Sequence, residues 1–314
     1  MRIQSITIEV ALVNVLSLFD GIGCGMVALE RAGIQVDRYV AYEIDKNSIK
    51  VATRHYPNIE EMGDVVSGDF TKYKGFDLVI GGSPCQGFSF AGKQLNFNDP
   101  RSKLFFEFIR AIKEVQPKYF LLENVVMQKQ YEDVITKYLG VKPILINSSL
   151  VSAQNRQRLY WTNIPNVTQP NDLDIKLIDI LEDVPINGVI YDKEDLHKAT
   201  IIGRRINEKG HRDDYNNSVP VSQCLEVRAT NTDKSNCLTT VNKDNVLTPM
   251  EVGRHKDAYK NNLPFRYYTV KEYCRLQTLP DDYCDMIPPS VAMKALGNGW
   301  TVNVISHILS FIQA

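Results

Sequence analysis

Three short stretches of this chain carry side chains whose type and spacing suit chemistry. The first is Gly81-Gly82-Ser83-Pro84-Cys85-Gln86-Gly87-Phe88-Ser89, after the apolar run Asp77 to Ile80. A cysteine at a strand end, inside a glycine-rich turn, is exposed and oriented. Backbone N–H groups of a following turn would favour its thiolate, the form that attacks electrophiles. Taken alone, such a cysteine is more often a small buried hydrophobe. The second stretch is Leu121-Leu122-Glu123-Asn124-Val125, where an acid closes a buried strand at the same sheet edge as Cys85. Desolvation there would raise the Glu123 pKa and let it hold a proton against a ring nitrogen; a capping or salt-bridged acid is the plainer alternative. The third is Gln154-Asn155-Arg156-Gln157-Arg158-Leu159-Tyr160. In a strand, Arg156 and Arg158 share a face. They could orient Glu123, hold a phosphate or bond a carbonyl, or be a solvated basic strand.

A fourth stretch suits a ligand rather than a reaction. In Phe19-Asp20-Gly21-Ile22-Gly23-Cys24-Gly25 the glycines permit positive φ and close approach of a ligand to the backbone. Glu43, at the end of a second strand, could accept from ribose hydroxyls. Asp69, expected after a third strand, could accept from an adenine amine. Glycines spaced by two do not meet G-x-G-x-x-G, which argues against a nicotinamide dinucleotide and leaves an adenosyl ligand.

The elements that must position these residues follow from apolar patterning. Val13 to Phe19, Tyr39 to Glu43, Val65-Val66, Leu78 to Ile80, Tyr119 to Leu122 and Ile144 to Ile146 read as strands. Gly23 to Ala32, Asp45 to His55, Leu104 to Val115 and Lys129 to Leu139 read as helices between them. Such alternation predicts an α/β fold, a Rossmann-like parallel sheet with helices on both faces and ligands at the strands' carboxyl ends. After Pro165 the pattern weakens into a loop-rich region with short β-prone pieces such as Cys237 to Val241. Helical spacing returns at Thr269 to Gln277 and Thr301 to Ile312.

The 314 residues are 44% hydrophobic and 23% charged, enough for a large core and a smaller second domain. The formal net charge of −1 gives no bulk attraction to nucleic acid, so any such binding needs a local basic cleft. The six cysteines (24, 85, 224, 237, 274 and 284) form no C-x-x-C pair, and no metal site is expected. The apolar start contains Arg2 and Glu9 and has neither a basic leader nor a membrane-spanning run. The expectation is a cytoplasmic chain with free thiols.

Taken in order, Phe-x-Gly-x-Gly, Pro-Cys-Gln, Glu-Asn-Val, Gln-x-Arg-x-Arg, Arg-Leu-Gln-x-x-Pro and Gly-Asn, spread over residues 15 to 305, resemble the DNA cytosine-5 methyltransferase family. The likeness is to the bacterial and phage type. Some stretches, such as Leu16 to Gly23 and Trp300 after Gly-x-Gly, are similar to the animal de novo enzymes. The resemblance implies an S-adenosylmethionine (AdoMet)-dependent sheet domain over 1–164 plus 266–314 and a target-recognition domain over 165–265. It implies transfer of the AdoMet methyl group to carbon 5 of cytosine in a specific duplex DNA sequence, by base flipping and a covalent Cys85–C6 intermediate. By position, Phe19, Asp20, Gly21, Gly23, Glu43, Ile44, Asp69, Phe70, Pro84, Leu104, Asn298 and Trp300 would form the cofactor site, with Glu43 on the ribose and Asp69 on the adenine amine. Glu123 would meet cytosine N3 and the exocyclic amine, Arg158 would meet O2, and Arg156 would stand beside it. Gln86, Ser89 and Arg101 would lie on or beside a flap over the DNA, and residues 86–100 are rich enough in Gly, Ser and Asn for one.

Arg204, Arg205, Lys209, Arg212, Arg228, Lys234, Lys243 and Arg254 are candidate DNA contacts in the middle domain. Arginine suits guanine and lysine suits phosphate. Interleaved Asp213, Asp214 and Asp233 leave many of these as solvated charges. Ser235 to Val241, with Thr240, is similar to the family's Thr-aliphatic recognition motif. Cys24, where many bacterial members carry glycine, and Trp300, in place of a small aliphatic residue, depart from the pattern and bear on the shape of the cofactor pocket. The resemblance further implies a monomer in the bacterial nucleoid or a phage-infected host, with a cognate restriction endonuclease as companion. A tRNA cytosine-5 methyltransferase shares these motifs. Intact Cys85, Glu123 and Arg158 argue against a silent DNA-binding module, and the lack of a C-x-x-C partner argues against a thiol oxidoreductase.

Overall fold

A computed structural model describes residues 12–84, 103–227, 233–252 and 263–312. The chain divides into two compact units, residues 1–146, 157–170 and 302–314 in the first, and 147–156 and 171–301 in the second. The first carries β1 (Val13–Leu18), α1 (Cys24–Arg31), β2 (Val36–Tyr42), α2 (Lys46–His55), β3 (Glu60–Glu61), β4 (Leu78–Gly82), α3 (Lys103–Val115), β5 (Tyr119–Val125), α4 (Lys129–Leu139), β6 (Ile144–Asn147) and β7 (Gln157–Thr162). Its last helix, Val302–Leu309, packs on α1, where Arg31 Nη1 donates to Asn303 Oδ1 at 2.8 Å.

The seven strands form one sheet in the order β3-β2-β1-β4-β5-β7-β6. β1 is parallel to both β2 and β4, and β4 is parallel to β5, but β7 runs antiparallel to β5. The parallel sheet expected from alternation is therefore mixed, as in many doubly wound folds with a reversed strand. From β1 the chain builds outward to β3, then crosses to the other side with β4. That reversal opens a crevice at the carboxyl ends of β1 and β4. On one face Leu16, Leu18, Val40, Tyr42 and Val79 pack with Phe105 and Phe108 of α3 and with Trp161. α2 starts where the Asp45 side chain accepts from Ser48 N at 2.8 Å, and α4 stops at Gly140, which has φ 72°.

Val65-Val66, expected as a strand, is instead a tight turn over Val65–Ser67. Gly63 at φ 75° bends the chain away from the sheet, and Asp64 Oδ1 takes the Val66 N–H at 2.9 Å, so the third strand ends early at Glu61.

The second unit holds α5 (Leu177–Ile180), β8 (Leu196–Arg205), β9 (Val221–Glu226), β10 (Val246–Pro249), β11 (Arg266–Tyr267), α6 (Val270–Leu276) and α7 (Pro289–Asn298). Its sheet has the order β11-β10-β8-β9, antiparallel throughout. Residues 266–301 belong here, whereas the sequence reading assigned them to the sheet domain. Cys237 to Val241 forms no strand, because Thr239 and Asn245 side chains take up backbone and side-chain partners locally. α6 is held at its start by a reciprocal Thr269–Glu272 cap, and Glu272 also meets Arg266 in a buried pair at 2.7 Å.

Candidate active site

The crevice is lined first by the turn after β1. Phe19, Gly21 and Gly23 all have positive φ (60°, 64° and 78°). A side chain at Gly21 would meet no atom within 4 Å, so it is the backbone conformation, not crowding, that calls for glycine there. A non-glycine residue such as Phe19 in this region is strained, a feature that concentrates at ligand sites. Gly25 is different: a Cβ would stand 2.7 Å from Ile80 Cδ1 and closer still to Tyr39 Oη, because α1 lies tight on the sheet.

Glu43 follows β2 and ties two loops together. Its Oε2 accepts from Gly21 N at 2.9 Å, and its Oε1 accepts from Ile44 N and Asp45 N at 2.8 Å each. A carboxylate has roughly four acceptor positions, so capacity remains for a hydroxyl. Ile44 beside it is 72% exposed, an apolar surface left open at the mouth of the crevice.

Asp20 does not face the crevice with a free carboxylate. It is buried, and its Oδ1 accepts from Ser17 Oγ and Tyr39 Oη, both at 2.6 Å, while Oδ2 is buried without a hydrogen-bond partner. Burial pushes its pKa up to about 6, against the pull of those two donors. Burial raises Glu61 to about 7, with the charges of Asp20 and Glu43 adding to it. Asp20 thus supports the turn from behind, a correction to its expected ligand contact.

Phe70 is likewise a core residue. Its ring is fully buried, 5.3 Å from the Tyr42 ring and 4.2 Å from the Arg110 guanidinium, and its N–H donates to Glu114 Oε2 at 3.2 Å. Asp69 is exposed and caps its own turn through the Thr71 hydroxyl and N–H. Asp64, beyond the end of β3, is likewise exposed and caps the Val65–Ser67 turn through the Val66 N–H.

The edge continues through β4 and β5, in register up to Gly82 opposite Glu123. Beyond that rung, the buried Asn124 Nδ2 donates to Ser83 O and Ser83 Oγ (3.3 and 3.0 Å). Ser83 leads through Pro84 to Cys85; Cys85, Gln86, Ser89, Arg101, Arg228 and Arg254 lie outside the described residues. Leu104 sits in the first turn of α3, half-buried against the core. Glu123 and Arg158 meet, Oε1 to Nε at 2.9 Å, both side chains largely buried at 12% and 14% exposure. They are diagonal partners in the β5–β7 ladder, where Val125 faces Arg158 and Glu123 faces Tyr160.

Arg156 does not share that face. It precedes β7 and belongs to the second unit, where its guanidinium donates to the carbonyls of Leu238 (2.9 Å), Gly297 (3.3 Å) and Gly299 (2.8 Å). Its guanidinium is engaged by these backbone carbonyls, so the paired-arginine reading is corrected to Arg158 alone. Asn298, exposed at the end of α7, and the buried Trp300 are also in the second unit.

Among the expected DNA contacts in that unit, Lys234 is buried with Nζ bound to the carbonyls of Ser149, Ser152 and Ile175, which rules it out as a phosphate contact. Arg204 is paired with Glu226 at 2.8 Å and Asp214 at 3.3 Å, and Arg212 with Asp214. Arg205 is half-buried, Lys243 Nζ donates to Gln223 at 3.2 Å, and Lys209 and Thr240 are exposed. Among the described residues no group of His, Cys, Asp or Glu could hold a metal ion, and no helix is long and apolar enough to cross a membrane.

The profile of the C-5 cytosine-specific DNA methylase family matches residues 13–314. The chain belongs to that family. It is 30% identical to the type II methyltransferase M.Eco47II of Escherichia coli over 93% of this chain and 76% of that protein. It is also 30% identical to the type II methyltransferase M1.ScrFI of Lactococcus lactis subsp. cremoris, over 94% and 76%. Among solved structures, the Entamoeba histolytica methyltransferase EhMeth superposes with a TM-score of 0.69, at 18% identity, covering 96% of this chain and 98% of the other; at that identity the likeness is one of fold. As a C-5 cytosine-specific DNA methylase, the protein is an AdoMet-dependent enzyme acting on DNA.

Proposed function

We propose that this C-5 cytosine-specific DNA methylase works through a covalent bond between Cys85 and cytosine C6, with Glu123 and Arg158 holding the pyrimidine. The observation that carries this reading is the Glu123–Arg158 pair at the carboxyl edge of β5, beside the β4 end that runs through Pro84 into Cys85. The Cys85 thiolate attacks C6, the C5–C6 double bond opens, and electron density collects at C5. Glu123 bonds N3 and the exocyclic amine, and Arg158 both steadies Glu123 and donates to O2. When bound, AdoMet supplies the methyl group that C5 accepts. Loss of the C5 proton to water and expulsion of the Cys85 sulfur restore the ring. The base must leave the duplex to be reached, at a cost of a few kcal/mol that backbone contacts offset.

The residues at β1 to β3 fit an adenosyl ligand. The positive-φ turn leaves open space over Gly21, Glu43 has acceptor capacity left for ribose hydroxyls, and exposed Ile44 offers a face to a purine. For the adenine amine the candidate is the exposed Asp69: Thr71 engages only its Oδ1, and a carboxylate has roughly four acceptor positions. Phe19, Pro84, Leu104, Asn298 and Trp300 are the remaining candidates. The second unit is the reader of DNA sequence, with Arg204, Arg205, Lys209 and Thr240 as candidate contacts. A monomer acting on duplex DNA beside a cognate endonuclease is the partnership this reading carries.

The test is incubation with AdoMet and duplex DNA containing 5-fluorocytosine at a proven target site. Fluorine cannot leave C5 as a cation, so a covalent adduct should accumulate with the native enzyme and none with Cys85→Ala, which should still bind AdoMet. Methyl transfer by Cys85→Ala would refute the nucleophile, and tRNA methylated in preference to duplex DNA would refute the substrate.

A further inference from the structure

Asn124 is almost fully buried (1% exposed), yet it is an amide on the strand that carries Glu123. Three hydrogen bonds hold it: Oδ1 accepts from Val125 N at 2.8 Å, and Nδ2 donates to Ser83 O and Ser83 Oγ. The backbone ladder between β4 and β5 stops at Gly82 and Glu123. The side chain of Asn124 therefore takes the place of the next peptide group. It adds a rung to a ladder whose backbone has already parted, and that rung grips the residue two before Cys85. Pro84, with its φ fixed by the ring, passes the constraint on.

We infer that Asn124 is a positioning residue: its amide locks Ser83 to β5, and so sets the reach of Cys85 toward the base that Glu123 holds. The inference rests on the covalent reading proposed above. The lock is one of direction as well as of distance. Two N–H groups aimed at a carbonyl and a hydroxyl cannot be replaced by carboxylate oxygens, although the shape is nearly the same. Asn124→Asp keeps the volume and an acceptor for Val125 N but turns a donor at Ser83 O into an acceptor. Ser83→Ala removes one of the two bonds and leaves the carbonyl rung.

The experiment is the single-turnover rate of adduct formation on 5-fluorocytosine duplex DNA, with AdoMet affinity by calorimetry and KM for DNA measured alongside. Misplacing a reacting atom by about 1 Å costs on the order of 10²-fold. Asn124→Asp is therefore expected to slow adduct formation and kcat by about 10²-fold, with AdoMet affinity and KM for DNA within about twofold of the native enzyme. Ser83→Ala is expected to fall between the two. A native adduct rate in folded Asn124→Asp overturns the inference and leaves the covalent reading intact, as does a loss of AdoMet affinity in step with kcat, which marks general damage to the fold. If Asn124→Asp does not fold, Ser83→Ala decides: a native rate there overturns the inference. Absence of any adduct with the native enzyme overturns the covalent reading, and this inference with it.

Discussion

Replacing Asp20 with asparagine should change how the stability of the first unit responds to pH. The Asp20 carboxyl is buried behind the glycine turn, with Ser17 and Tyr39 on one oxygen and nothing on the other. Burial raises its pKa from its ordinary 3.8 to about 6. A folded-state pKa above the unfolded value means that the folded protein holds this proton more tightly. The group costs nothing below about pH 3.8, and the cost of ionising it grows until pH passes about 6. Fully developed, that cost is about 3 kcal/mol, from a shift of roughly 2 pKa units at 1.36 kcal/mol each. Between pH 5 and pH 7.5 it rises by on the order of 1 kcal/mol. Asparagine keeps an oxygen for Ser17 and Tyr39 and carries no charge, so the stability of Asp20→Asn relative to the native chain should improve by on the order of 1 kcal/mol over that interval. Glu61 adds in the same direction, since part of its own upward shift comes from the Asp20 charge. The assay is urea unfolding at both pH values, followed by the fluorescence of Trp161, fully buried in the same unit, in a Trp300→Phe background. A difference between variant and native chain that stays the same at the two pH values would refute the reasoning.

Glu43→Ala removes the acceptor of three N–H groups at the crevice and should weaken AdoMet binding at least tenfold by calorimetry, about 1.4 kcal/mol; unchanged affinity would take Glu43 out of the site. Arg158→Ala leaves Glu123 without its guanidinium and should lower kcat by roughly 10²-fold or more while AdoMet affinity holds, as read in single-turnover methylation of duplex DNA. Arg156→Ala should act the other way round. It strips donors from three backbone carbonyls in the second unit and should cost about 2–4 kcal/mol in urea unfolding; a folded variant of native stability with kcat lost would return Arg156 to the catalytic set.

Much of the first unit was legible because its signals are local. β1, β4 and β5 are continuous apolar runs, α2 begins on the Asp45 cap and α4 ends on the left-handed Gly140, so the bounds of β1, β4, α2 and α4 fall within a residue or two of those expected, while β5 runs on to Val125. What failed was set by backbone turns that apolar patterning does not see, or by partners distant in sequence. Whether Val65-Val66 continues a strand depends on Gly63 and Asp64 turning the backbone, which apolar patterning does not register. Arg156 and Arg158 look equivalent in sequence, and only their partners, backbone carbonyls of residues 238, 297 and 299 against Glu123, tell them apart. Lys234 reads as a surface cation, yet three carbonyls from residues 149, 152 and 175 surround it. Asp20 reads as a ligand contact because it sits among glycines, and its burial beneath Tyr39 becomes visible only with β2 in place.

The reversed strand β7 has a consequence for how this enzyme can vary. A strand running with its neighbours would deliver its last residues to the crevice; β7 delivers its first, so Arg158 arrives one residue after the strand begins. Side chains alternate along a strand, so shifting β7 by one position against β5 would turn Arg158 to the opposite face and bring Gln157 or Leu159 toward Glu123. Lengthening the connection before Gln157 leaves the acid and its guanidinium together, whereas inserting a single residue between Arg158 and Tyr160 parts them.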